Sequence, residues 1–107
     1  MKRDMDFVRE LMIAIERDPD YSGQGIYLPD GPEELGLSGR TYDELSYHLM
    51  LLIEAGFLDG GLGGRMPTIR RLTWNGHEFL EAVRDPSIWN RTKHGAEKAG
   101  NVGVEFV

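Results

Sequence analysis

The chain contains no cysteine, which excludes disulfides, thiolate nucleophiles and thiolate metal sites together. That absence suits a reducing cytoplasm, the expected location. No apolar run approaches the roughly 20 residues needed to cross a bilayer. Behind the basic residues of MKRDMD there is no apolar stretch of signal-peptide length either. Positive charge is scarce: 12 Lys and Arg stand against 18 Asp and Glu, a net charge of −6. Such a balance opposes general attraction to phosphate backbones. Histidine is limited to His48, His77 and His94, none at the i, i+4 or HExxH spacing that lets two imidazoles share a metal. No metal site is expected. A GxSxG nucleophile motif is also missing.

What is present fits one domain. A chain of 107 residues has room for a single compact unit, and 40% hydrophobic with 28% charged residues is too apolar for a disordered chain. The most legible stretch is TYDELSYHLMLLIEAGFL, from Thr41 to Leu58. Thr41 and Glu44 have the spacing of a capping box. At about 100° per residue, Tyr42, Leu45, Leu49, Leu52 and Ile53 share one side of the helix, and Asp43, Ser46, Tyr47, Met50 and Glu54 the other. Gly56 supplies the left-handed residue that ends helices. By helical phase His48 falls at the edge of the apolar face, where a neutral imidazole packs with one hydrogen bond.

The remaining elements follow from caps and breakers. Asp4 caps a first helix to about Asp18 with Met5, Val8, Leu11, Met12 and Ile15 as its apolar stripe. The segment YSGQGIYLPDGPEELGLSGR is rich in Gly and Pro and supports only a short strand over Ile26 to Leu28 and one helical turn over Pro32 to Leu35. After Gly56, Phe57-Leu58-Asp59, then GGLGG, then Thr68 to Leu72 reads as a hairpin with a flexible glycine tip. Thr73 caps a helix carrying Trp74, Phe79, Leu80 and Val83, and Asp85-Pro86 opens a last helix to about Ala99. The tail 100–107 alternates like a strand and equally fits the start of another helix. Helix, glycine stop and hairpin in this order predict an α+β winged helix over 1–107, with a common core of Leu45, Leu49, Leu52, Val8, Met12, Leu72, Phe79 and Leu80.

The start MKRDMDFVRELM, the core YHLMLLIEAGF and the run RLTWNGHEFLEAVRDPSIWN together resemble a family of small bacterial and phage-associated proteins catalogued as a domain of unknown function. Tyr47-His48, the Glu54-Ala55-Gly56 stop and Leu72-Thr73-Trp74 all fall in that family's order. The resemblance implies a winged-helix domain, often carried by prophages, and brings no catalytic residue. It also implies that relatives continue further into helix where this chain ends at Val107.

Several residue groups invite chemistry. GGLGG at Gly60 to Gly64 lacks the following helix and Lys-Ser/Thr pair of a phosphate loop, so no cofactor or small-molecule substrate is expected. The acid pairs Glu33-Glu34 and Asp43-Glu44 lie in a loop and at a helix start, where the dipole favours carboxylates anyway. No enzyme is expected. Arg65, Arg70 and Arg71 form the basic cluster best placed for phosphates, although in a regular strand Arg70 and Arg71 point to opposite faces. On the helix that would enter a DNA groove, residues 42 to 55 carry Asp43, Glu44 and Glu54 and no Lys or Arg. Asp43, Tyr47, Met50 and Glu54 instead combine an aromatic and a methionine with a charged rim, as protein interfaces do. The alternative is that Tyr47 or Met50 packs under the 21–40 loop. The expected function is a non-enzymatic module that binds a protein or a second copy through this face. A phage-type DNA-binding regulator acting through Arg65, Arg70 and Arg71 is the competing expectation.

Overall fold

Three carefully capped helices and a three-stranded antiparallel sheet make up most of residues 1–91, the part that the computed structural model describes. Asp4 opens α1 (Met5–Arg17), its carboxylate accepting the Phe7 amide. Phe7, Val8, Leu11, Met12, Ala14 and Ile15 are buried along its inner side. A short 3-10 turn (Pro19–Tyr21) leads into β1 (Ser22–Tyr27), and a second (Pro32–Leu35) precedes α2 (Tyr42–Glu54). The strands β2 (Leu58–Gly61) and β3 (Thr68–Leu72) form the hairpin, and α3 (Trp74–Val83) follows. A fourth helix, α4, starts at 86 and its described part runs to 91. The expected end of that helix near Ala99 and the tail 100–107 lie outside the described residues.

β3 is the central strand, with β1 and β2 antiparallel on either side. The core forms where α1, α2 and the sheet meet: Leu11, Met12, Ile15, Leu45, Leu49, Ile69 and Leu80 are completely buried. The expected core residues are all buried except Phe79, which is partly buried and stacks on Phe57 with ring centroids 5.0 Å apart. Trp74, at the start of α3, projects outward and is 78% exposed.

The joint between α2 and the hairpin is a Schellman closure. Gly56 has φ +78, its amide reaches Ile53 and the Phe57 amide reaches Leu52, which satisfies the last carbonyls of the helix. The Phe57 carbonyl then seats α3. It accepts the Thr73 amide at 3.1 Å, while the Thr73 hydroxyl donates to the Gly56 carbonyl and accepts the Gly76 amide.

The hairpin departs from expectation in two ways. Gly60 and Gly61 belong to β2 rather than the tip, because a Cβ on Gly60 would lie 2.1 Å from the Thr68 carbonyl oxygen and only glycine allows that approach. The register also slips: Asp59 pairs with Arg71 but Gly60 pairs with Ile69, leaving Arg70 as an extra residue in β3. Such a bulge breaks the alternation of side chains. Arg70 and Arg71 are consequently both exposed, not divided between two faces.

Candidate functional site

Helix α2 starts with the expected capping box, with both halves formed: Thr41 Oγ1 accepts the Glu44 amide and Glu44 Oε1 accepts the Thr41 amide, each at 3.0 Å. This fixes which residues face outward. Asp43 and Glu54 are exposed, and Tyr47 and Met50 between them are half-buried.

Behind this face lies a buried polar joint. His48 is 1% exposed, and both ring nitrogens are used rather than the single one expected. Nε2 accepts the Asp4 amide at 2.9 Å and Nδ1 donates to the Glu44 carbonyl at 2.8 Å. A backbone amide can only donate and a carbonyl only accept, so the neutral Nδ1–H tautomer satisfies both. The Tyr47 ring stands edge-on to the imidazole at 5.6 Å. Arg40, the last residue of the loop before α2, bridges Asp4 at 2.8 Å and Glu44 at 3.4 Å with its guanidinium 4.4 Å above Phe7. The backbone amide of Thr41 holds the Glu44 carboxyl below its usual range, despite some desolvation, with help from the Thr41 hydroxyl and Arg40. The 21–40 segment therefore ties the N-termini of α1 and α2 together through Arg40.

Each of the three candidate phosphate-binding arginines faces an acid of the same chain. Arg65 meets Asp43 at 3.1 Å and lies 4.7 Å over the Tyr42 ring, while the Ser46 hydroxyl donates to its carbonyl. The hairpin tip is thereby folded back on the first turns of α2. Arg70 reaches Asp59 at 3.1 Å and Arg71 reaches the same carboxylate oxygen at 3.8 Å. The bulge at Arg70 brings both guanidiniums to one acid. Asp43 is thus a contact point between the two candidate groups, because it belongs to the α2 face and also holds Arg65.

The chain matches the family described as "Hypothetical protein (DUF2513)" over residues 2–102. It belongs to that family. An uncharacterized protein of Haemophilus influenzae is 33% identical over 97 residues, covering 87% of this chain and 76% of its own length. No solved structure matches the chain. Neither the family description nor the Haemophilus relative names a reaction or a ligand, so the surface of this family member carries the functional reading.

Two features of that surface were not foreseen from sequence. Asp59 lies in a strand as expected and is in addition the shared partner of two arginines. Between the end of α1, the start of β1 and the start of α3, an open cleft of about 570 Å³ is lined by Glu16, Tyr21, Arg71, Trp74 and His77 among others. Burial, reinforced by Glu34, Asp18 and Asp20, pushes the Tyr21 hydroxyl up to about 12. An indole after a capping threonine reads as the start of an apolar helix face, so its exposure left no local signal. Among the described residues no helix is long and apolar enough to cross a membrane. No group of three or more His, Asp or Glu gathers there to hold a metal.

Proposed function

We propose that this family member is a winged-helix module that acts by binding rather than by catalysis. The outward face of α2, formed by Asp43, Tyr47, Met50 and Glu54, docks another protein. The winged-helix reading is supported by the order of elements, with α2 closing through Gly56 into the β2–β3 hairpin and β1 as the third strand.

The observation that carries the protein-binding reading is the pairing of charge. A groove-reading helix presents Arg, Lys, Asn or Gln to base edges and phosphates. Residues Tyr42–Glu54 contain no Arg or Lys, and Arg65, Arg70 and Arg71 are already engaged by Asp43 and Asp59. Duplex DNA would have to break those contacts and also approach Asp43 and Glu54. A half-buried tyrosine and methionine within a charged rim suit a protein surface instead. The competing reading is a DNA-binding regulator that uses the hairpin arginines, and the position of that hairpin next to α2 is what favours it.

Titration of the full chain with mixed duplex DNA across a range of salt separates the two. The protein-docking reading expects no binding with a steep salt slope, and it expects Tyr47→Ala to abolish partner capture at a stability loss below about 1 kcal/mol. Strong low-salt DNA binding that collapses on replacing the three arginines with alanine sinks it. So does a Tyr47→Ala variant that melts far below the parent while capture is retained.

A further inference from the structure

Among the described residues the sheet order β1-β3-β2 leaves β1 paired on one side only. Natural edge strands are guarded against pairing by lysine, by inward-pointing charge, by proline or by irregularity. Strand β1, SGQGIY, has no charged residue and no proline, and the uncharged run extends from Tyr21 to Pro29. Its end is also apolar and open: Ile26 is 68% exposed, Tyr27 38% and Leu28 60%. One guard remains, since β1 aligns with β3 at Ser22–Arg71 and Tyr27–Ile69 with a register shift between.

We infer that the outer edge of β1 is the surface through which a second copy of this chain docks, the two strands pairing antiparallel across a two-fold axis. Symmetry and charge select this occupant. A two-fold interface sets one patch against itself, so charges near the axis meet charges of the same sign. In a chain of net charge −6, self-docking through α2 would bring Asp43 and Glu54 of one copy towards those of the other, with no Arg or Lys in Tyr42–Glu54 to offset them. β1 has no charge to repeat, and its backbone groups are self-complementary in antiparallel register. The pairing would join the two three-stranded sheets into one and cover Ile26 and Leu28. Ser22 and Tyr27 align with Arg71 and Ile69, positions only two residues apart on β3, so the pairing edge is shorter than six extended residues would give, the interface is small and the dimer is expected to be weak. This surface is separate from the α2 face, and the inference does not rest on the proposed protein docking there.

The test is sedimentation equilibrium of the full chain from micromolar to millimolar concentration, combined with amide exchange at both ends of that range. The expected result is a reversible dimer with amides of 22–27 gaining protection as concentration rises. Ile26→Lys, which sets two like charges across the axis at an already exposed position, should weaken it at least about tenfold, or by 1.4 kcal/mol. Gln24→Lys should act in the same direction if Ile26→Lys perturbs folding, and a circular-dichroism melt of each variant decides which is read. A parent that stays monomeric at millimolar concentration overturns the inference, as does a dimer that survives both lysines. A dimer that survives them and is lost in Tyr47→Ala places self-association on α2 instead. DNA binding or partner capture, whatever its outcome, leaves this inference standing.

Discussion

At Gly76 a methyl group has no room, because a Cβ there would sit 2.1 Å from the Phe57 carbonyl oxygen. Replacing an ordinary helical glycine with alanine stabilises by roughly 0.5–1 kcal/mol through backbone entropy. Here the sign reverses. The obstacle is backbone, held by the Thr73 amide, so relief requires α3 to move off the hairpin. Gly76→Ala is expected to cost about 1–3 kcal/mol or more in a urea melt, and a gain in stability would show that α3 is seated differently. Leu49 is the corresponding test of α2, since it is completely buried and points away from the candidate docking face. Leu49→Ala should lose about 2–5 kcal/mol. A loss below about 0.5 kcal/mol, typical of surface positions, would mean that α2 is turned the other way and that Tyr47 is a core residue.

The elements are joined by ion pairs whose pH dependence has a definite sign. Arg84, beyond the end of α3, holds the Glu16 carboxyl of α1 below its ordinary value of 4.5, more than offsetting the effect of burial. Burial pushes the Asp4 carboxyl up, but Arg40 and the Phe7 amide together bring it below 3.8. A carboxylate with a lowered folded value contributes its stability in full above the unfolded value and loses it as pH falls through the folded one. Parent stability should therefore decline from about pH 4.5 downward. Arg84→Ala, which removes two partly exposed pairs, to Glu16 and to Glu81, should cost under about 1 kcal/mol at neutral pH and nothing once both acids are protonated. An equal loss at both ends of a pH series of chemical melts would show that Arg84 acts through packing rather than charge. At this scale much of the fold was legible in sequence, because caps are local: Asp4, Thr41 with Glu44, and Thr73 each announce a helix within three residues. β1 was only half legible, since Gly23 and Gly25 have low strand propensity and lie in the irregular stretch between Ser22 and Tyr27, whose partners Arg71 and Ile69 are more than forty residues away. The bulge at Arg70 and the pairing of Arg65, Arg70 and Arg71 with acids were illegible for the same reason. A residue's partner across a hairpin depends on register, and register depends on the close approach that Gly60 permits.

For the whole molecule, a net charge of −6 says less than the way its positive charges are used. The hairpin arginines are paired within the chain, and Asp59 holds two of them, with Arg70 at 3.1 Å and Arg71 at 3.8 Å. Asp59→Asn keeps the shape of the side chain, removes one negative charge and releases both guanidiniums. If intramolecular pairing is what makes this surface a poor phosphate ligand, the variant should acquire low-salt binding to mixed duplex DNA that the parent lacks. The slope of log K against log salt should then be no steeper than about −2, one increment for each freed arginine. Docking of a protein on Asp43, Tyr47, Met50 and Glu54 should be unaffected, because Asp59 lies on β2 and outside that face. A parent that already binds duplex DNA with the same slope as the variant would show that the ion pairs open at no cost. In that case the acids mask nothing, and the charge-based preference for a protein partner over DNA loses its foundation.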